Sequence, residues 1–552
     1  MTAEDVLLVP SAVLVPDELK FDLGPIPTGM IPIDGRPALD HIGERYNEYD
    51  PDMYVAGREA IDRLDAHLSQ SAHDWTLLEV QDTSSLGETL AQSLRAIADM
   101  RPVADATLYV NFADTIVSPV GHNVATDSIS YAKNDYAYRW TSFTSDRNRR
   151  ISSVTEKFTT VFDKPREVFT GQFKFTDAAA FCSALEAAGD RESETDQFYL
   201  ALQEYLDGRE YELLEAETWR DIGHLDTYYR NKRLSLNVRE FNEVDVTTNT
   251  IRKTSDNTEA LRAEIEWYEK LPQKLRPYVP QVYDYSKSRS DPYVTMEYVG
   301  YPTLSDIYMY GTHGLHLWSN VYDALFDILD RFGEYRFESA DADIEDALWR
   351  MYYRKTVDRL DRVRGDAKLK PFFGEEIIIN GEPYPAVNAI LNDLETVLSK
   401  SSLLNLEYLT VVHGDLCFPN VLFDVRNNIP KLIDPRGEFG PYAIYGDYRY
   451  DLAKLRHSVA GHYEFIINDK FDVTVDADDC AVSYGTFSDD VHDRRKSLFD
   501  EQLARRYPGD VSDVQLLESL LFLSMVPLHG DIVRRQQCML ATGIEKFAAA
   551  RD

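Results

Sequence analysis

Two acidic side chains and an amide stand at a spacing suited to phosphoryl transfer in His413-Gly-Asp415-Leu-Cys-Phe-Pro-Asn420, followed by Leu432-Ile-Asp434-Pro-Arg-Gly437. Moving a γ-phosphoryl group asks little covalent help of a protein. It needs a carboxylate beside the attacking hydroxyl and oxygen ligands that hold Mg²⁺ on the nucleotide phosphates. In that chemistry Asp415 would be the carboxylate, Asn420 would ligate one metal, and Asp434 would be the second, stronger metal ligand. One acidic turn between buried strands is usually structural. Two motifs in this order and at this distance favour the catalytic reading.

The elements that must position these groups can be read outward from the loop. The apolar runs Tyr408–Val412 and Val421–Phe423 flank it, and Lys431–Ile433 leads into Asp434. The expected order is strand, loop, strand, strand, metal aspartate. Upstream, Phe241–Val246 and Thr250–Lys253 alternate like paired strands around a polar turn. Lys253 would end the second strand. Thr258–Leu271 has apolar positions at helical spacing. Glu264 is the better candidate for an ion pair that positions Lys253, with Glu266 as the alternative. Pro292–Val299 reads as a strand running into a hinge that includes Glu297 and Val299.

The pattern H-G-D-x-x-x-x-N with I-D-x-x-G resembles the aminoglycoside phosphotransferase and choline kinase family, small-molecule kinases with a protein-kinase-like fold. The resemblance implies an α+β bilobal domain over residues 233–552, with a small lobe at 233–300 and a large lobe at 301–552. It also implies ATP, Mg²⁺ and a small-molecule hydroxyl acceptor, with Lys253 reaching the α- and β-phosphates and the backbone at Glu297 and Val299 binding adenine. No G-x-G-x-x-G precedes Lys253. The resembled family lacks that loop too, so the absence argues only against a protein kinase. Gly446-Asp447-Tyr-Arg-Tyr-Asp451-Leu-Ala resembles the family's helix start. Asp451 is expected to hold the catalytic loop through His413 or backbone amides, and His413 to orient rather than act as a base. The aromatic stripe in Leu317–Leu329 reads as core. His529 reads equally as acceptor-pocket lining or as structural.

Residues 1–232 alternate strand-like and helix-like segments in an α/β manner. Strand candidates are Val6–Val9, Trp75–Val80, Ala106–Val110 and Glu167–Phe169; helix candidates are Glu59–His67 and Glu88–Ile97. Met30-Ile-Pro-Ile-Asp-Gly35-Arg36-Pro37, Leu108-Tyr-Val-Asn-Phe-Ala-Asp114 and Trp219-Arg-Asp221-Ile-Gly223 look like segments of the sugar-1-phosphate nucleotidyltransferase family. That resemblance implies a Rossmann-like domain in which Asp114 and Asp221 hold Mg²⁺ or Mn²⁺ on an NTP, with Arg36 and Gly87 near the nucleotide. Two carboxylates on a divalent metal would neutralise an attacking phosphate and a triphosphate that otherwise repel. The family's Gly-rich, arginine-bearing turn is replaced here by Val9-Pro-Ser-Ala-Val-Leu-Val-Pro. Two readings stay open for this half: an active nucleotidyltransferase, or a domain that binds a nucleotide or scaffolds the kinase.

The formal net charge of −36 over 552 residues weighs against nucleic acid and anionic membrane surfaces, which need clustered Lys and Arg. Cys182, Cys417, Cys480 and Cys538 are scattered without C-x-x-C spacing, as in a reducing compartment without a zinc site. No run approaches about eighteen uninterrupted apolar residues, and the acidic start lacks a basic n-region. The expectation is a cytoplasmic protein without membrane insertion. The oligomeric state is not legible. A kinase that makes a phosphomonoester, followed by a nucleotidyltransferase that activates it, suits capsule or surface polysaccharide modification.

Overall fold

The computed structural model describes residues 5–551 except 105, 119–120, 122, 135–138, 157–164, 190, 192, 194, 236–243, 248, 339–340 and 438. The beginning of the expected strand at Phe241 therefore lies outside the described residues. The chain divides into two compact units, Met1–Ser235 with Tyr310–Thr312, and Leu236–Met309 with His313–Asp552.

The N-terminal unit is built on a nine-stranded mixed sheet. Its centre is four parallel strands in the spatial order Trp75–Glu79, Asp52–Gly57, Val6–Ser11, Leu108–Asn111. Every residue of Val6–Ser11 is buried, as expected of a parallel strand covered on both faces. The third, second, first and fourth parallel strands thus lie side by side, and the order reverses beside Val6–Ser11. In open α/β sheets such a reversal leaves a crevice at the carboxyl ends of the strands. Arg166–Phe175 continues the sheet antiparallel to Leu108–Asn111. Its pairing with Asp127–Asn134 shifts register between Phe169 and Phe173, where Gly171 takes a positive φ of 89°. The helix Leu86–Met100 begins at Ser85, whose side chain accepts from the Glu88 amide. Its apolar side packs with Phe173, Phe175, Phe181 and Phe198 in one core cluster.

The C-terminal unit opens with an antiparallel sheet in the order Val244–Val246, Thr250–Thr254, Tyr293–Glu297, Val282–Ser286. The helix Thr258–Lys270 is capped by Asn257, which accepts from the Ala260 amide. Its Trp267 donates from the indole to the Val412 carbonyl at 2.8 Å, tying this helix to the strand Leu409–Val411 ahead of the catalytic-type loop. The hairpin Val421–Asp424 and Ile429–Leu432 then delivers the chain to Asp434. The aromatic stripe of Leu315–Gly333 is buried at Trp318, Tyr322, Phe326 and Phe332.

Helices dominate the remainder. The helix Tyr448–Val459 is buried from Arg449 onward, which demands that its polar side chains be paired. Arg449 accordingly meets Asp447 and Asp513, each at 2.8 Å. Among the described residues Val511–His529 is long and apolar enough to cross a membrane, and it is mostly buried. It also carries Glu518, which receives Arg456 and, at 2.7 Å, Lys546. Apolar composition and paired interior charges both mark it as the core helix of this bundle.

Candidate functional site

The sequence Lys253, Glu264, Asp434 becomes one charge-paired chain in the fold. Lys253 is the penultimate residue of the strand Thr250–Thr254, which runs one residue beyond the end expected, and its ammonium lies 2.7 Å from Glu264 and 2.9 Å from Asp434. Burial works against the charged lysine, but the two carboxylates more than reverse this and raise its pKa. Burial pushes the Glu264 carboxyl up, to about 7, against the pull of Lys253. Glu266 instead pairs with Lys270 at 3.2 Å. The helix bearing Glu264 can come this close because Gly437, at a positive φ of 86°, has no side chain: a Cβ there would overlap the Ala263 backbone. Asp434 itself adopts a positive φ of 55°, a region that aspartate tolerates better than most residues.

A second constellation forms around Asp415. The Asn420 amide nitrogen donates to both the Asp415 carbonyl at 2.8 Å and its carboxylate at 3.0 Å. Both acceptors are oxygens, so the NH₂ end must face Asp415 and the Asn420 oxygen is directed elsewhere. Lys454 sits on the other carboxylate oxygen at 2.8 Å. Loss of surrounding water pushes the Asp415 carboxyl up, and the Lys454 ammonium outweighs it, so Asp415 ionises below its ordinary range. Its side chain nonetheless keeps 41 % of its exposure, the condition for meeting an acceptor. The sequence reading gave Lys454 no role; only its position one turn beyond Asp451 on the same helix hinted at one.

The loop between these groups is held from below. Asp451 accepts from the His413 and Gly414 amides at 2.7 and 2.8 Å. The His413 Nε2 donates to the Ile433 carbonyl at 3.0 Å, which fixes the tautomer, because a carbonyl only accepts. Burial pushes the His413 pKa down to about 4, so the ring is neutral. His413 thereby bolts the Asp415 loop to the segment carrying Asp434.

At the strand-to-hinge junction, Glu297 accepts from the Gln281 amide at 3.2 Å and has Lys431 at 3.9 Å. The Tyr298 amide donates to the Asn249 carbonyl at 2.9 Å. Val299 makes no hydrogen bond among the described residues, leaving its backbone donor and acceptor open.

Mg²⁺ prefers a small number of hard oxygen ligands and keeps waters and phosphate oxygens as the rest. Asp434, 43 % exposed, and the Asn420 oxygen, which takes no part in the contact with Asp415, fit that requirement. Among the described residues no three His, Cys, Asp or Glu side chains gather as a metal site, so any ion here depends on the nucleotide for its remaining ligands.

In the N-terminal unit the carboxyl end of Leu108–Asn111 leads directly to Asp114. The strands Thr115–Ser118 and Thr218–Asp221 pair antiparallel with Thr115 opposite Asp221, and the Ile222 amide donates to the Asp114 carbonyl at 2.9 Å. Asp114 and Asp221 are thus brought to neighbouring strand ends, and a Cβ on Gly223 would overlap the Asp114 carboxylate. Asp221 is buried and accepts from the Thr227 hydroxyl at 2.6 Å and from His224 at 3.1 Å. That bond to Asp221 raises the His224 pKa against the cost of burial. Neither Thr227 nor His224 was legible as a partner.

Two other expected residues are engaged within the unit. Arg36 pairs with Glu44. The Gly87 amide donates to Asp196 at 3.1 Å, and its missing side chain makes room for Gln197 and Phe198. The close approach that glycine allows there is made by the protein itself. Where the resembled family has its Gly-rich turn, the Ser11 hydroxyl accepts from the Gly29 amide at 2.9 Å.

No curated protein matches the chain. Solved structures similar to it include HddC from Yersinia pseudotuberculosis, at 17 % identity and a TM-score of 0.33, covering 42 % of this chain and 99 % of that one. The CTP:phosphocholine cytidylyltransferase LicC from Streptococcus pneumoniae aligns at 11 % identity with the same coverage and TM-score. A nucleoside-diphosphate-sugar pyrophosphorylase from Vibrio cholerae aligns at 16 % identity and a TM-score of 0.34, covering 41 % of this chain and 99 % of that one. The second unit gives a family match: residues 246–478, the segment holding Lys253, Glu264, Asp415, Asn420, Asp434 and Lys454, match the model of the phosphotransferase enzyme family.

Proposed function

We propose that the C-terminal unit transfers the γ-phosphoryl group of ATP to a hydroxyl of a small molecule. The observation that carries this reading is Lys253 held between Glu264 and Asp434 at 2.7 and 2.9 Å, within a segment that matches a phosphotransferase family. Val299 would take the adenine edge on its open backbone, and Lys253 would meet the α- and β-phosphates. Asp434 and Asn420 would hold Mg²⁺, whose chemistry is to neutralise charge on the phosphates. Asp415 would orient the acceptor hydroxyl. The acceptor O–P bond forms, the bond from the γ-phosphorus to the β,γ-bridging oxygen breaks, ADP leaves, and the hydroxyl proton passes to Asp415. Lys454 and Asn420 keep that carboxylate aimed. Metal-dependent ATP consumption across a panel of hydroxyl compounds tests this; no consumption with any acceptor, together with no Mg-ATP binding, would refute it.

For the N-terminal unit we infer a nucleotidyltransferase-like domain that activates the phosphorylated product with an NTP, in the cytoplasm and in the service of capsule or surface polysaccharide. Asp114 and Asp221 at neighbouring strand ends, beside the reversal of strand order, support metal and nucleotide binding there. A second reading, a domain without turnover, is favoured by the Ser11–Gly29 bond where a phosphate-gripping turn would be. Pyrophosphate release from the four NTPs with sugar phosphates separates the two.

A further inference from the structure

The helix segment Asp341–Trp349 passes through a π-helical turn at Arg350–Arg354 into Lys355–Val363. Such insertions recur at functional sites, and this one turns Lys355 and, one helical turn on, Arg359 to a new direction. Lys355 stands 5.2 Å from the centre of the Tyr450 ring, and Arg436 donates to the Tyr450 hydroxyl at 3.3 Å. One turn beyond Tyr450 is Lys454, the partner of Asp415. Arg359 is anchored by a 3.1 Å bond to the Ser524 carbonyl. Lys355, Arg359 and Arg436 make no ion pair among the described residues, and Lys355 and Arg359 are half-buried.

In a chain of net charge −36, cations gathered without ion-pair partners of their own, Asp415 being taken by Lys454, oppose the general field of the protein. Like charges four residues apart on a helix also repel. The local imbalance is visible in the titrating groups. Burial raises the Tyr450 phenol, yet Lys355, Arg436 and Lys454 bring it down to about 8. Burial, with Arg436, Arg359 and Lys454 nearby, depresses Lys355 to about 8 in spite of Tyr450. A positive pocket in partly desolvated surroundings concentrates anions, and Arg and Lys there favour carboxylate or phosphate oxygens.

We propose that Lys355, Arg359, Arg436 and the Tyr450 hydroxyl form an anion subsite beside Asp415, so that the acceptor is a hydroxyl compound bearing a carboxylate or phosphate group. This rests on the kinase reading and specifies its substrate: Asp415 takes the hydroxyl while the cations take the charged end. The acceptor class is therefore a hydroxy acid or a phosphorylated alcohol, and a neutral polyol or an amine lacks the group that the cluster binds.

Thermal melts of the full chain test this at fixed ionic strength, with inorganic phosphate, acetate or chloride as the variable anion, each with and without saturating Mg-ADP. Phosphate or acetate should raise the midpoint by about 2 °C or more over chloride at tenfold excess over its Kd. A shift with phosphate alone points to a phosphorylated acceptor; a shift with acetate as well points to a carboxylate. Lys355→Met, which keeps the apolar stem, and Arg359→Gln should each remove the anion shift while Mg-ADP still stabilises. Phosphate and acetate indistinguishable from chloride, or an anion shift that survives in both variants, would overturn the subsite. Absence of any Mg-ADP shift in the native protein would instead count against the nucleotide reading, and the anion comparison would still be read without it.

Discussion

The two units treat their paired acidic groups differently. In the C-terminal unit each acidic group already has a cation: Lys253 for Glu264 and Asp434, Lys454 for Asp415. In the N-terminal unit Asp221 is satisfied by a hydroxyl and a histidine, and a second carboxylate lies one strand away. A fixed ammonium between carboxylates would set the position of a phosphate chain before it binds. A histidine whose charge depends on its environment can yield its place to a metal, or can replace the metal altogether. The first arrangement is ready for chemistry; the second balances charge with or without it.

The comparison is broken most severely by Asp434→Asn. That change removes a proposed metal ligand and one partner of Lys253 together, and phosphoryl transfer should fall below detection while the far-ultraviolet circular dichroism is unchanged. Near-normal turnover would remove Asp434 from the metal role. Asp415→Ala comes next, with an expected fall in turnover of roughly 10²–10⁴-fold, the range for a lost general base. Initial rates at saturating ATP read it directly.

The N-terminal unit sharpens the contrast through metal rather than rate. If Asp114 and Asp221 share a divalent ion, Mg²⁺ or Mn²⁺ should raise the melting midpoint of that unit, and Asp114→Asn should remove the rise without lowering kinase turnover. A metal-dependent rise that persists in both Asp114→Asn and Asp221→Asn would assign the ion elsewhere.

The smallest effect concerns the bolt between the two catalytic-unit motifs. His413 is neutral in the fold with its pKa near 4, whereas the unfolded chain takes up that proton around pH 6.5. As pH falls from 6.5 toward 4 the unfolded state binds a proton that the folded state does not, so stability falls, by at most about 1.4 kcal/mol per pH unit. His413→Asn lacks this loss. The stability gap between native protein and variant, measured by denaturant titration, should be widest near pH 7 and narrow toward pH 4. A gap independent of pH would mean that folding leaves the His413 pKa at its unfolded value, and a gap that widens toward pH 4 would mean that His413 is charged in the fold.

Much of the C-terminal arrangement was legible because its chemistry is local. His413, Asp415 and Asn420 lie within one loop, and Lys253 and Glu264 are joined by a single strand-to-helix turn. Periodicity and spacing act over such distances. Lys454 on Asp415 and Arg436 on Tyr450 were not legible, because they join elements whose relative packing no local pattern specifies. The same holds for Gly87. The resemblance places it near a nucleotide, and only the fold reveals that Gln197 and Phe198 take the space its missing side chain leaves. Val511–His529 teaches the converse: an apolar run interrupted at Asp513 and Glu518 is a bundle core whose charges are answered from neighbouring helices.

The central claim is that Asp434 and Lys253 hold the nucleotide while Asp415 serves the acceptor. Calorimetric titration of Mg-ATP into the native protein, Asp415→Ala and Asp434→Asn tests it most directly. The account predicts an affinity within about twofold of native for Asp415→Ala and a loss of at least about tenfold for Asp434→Asn, equivalent to roughly 1.4 kcal/mol. Equal affinity in Asp434→Asn, or a tenfold loss in Asp415→Ala, would contradict it.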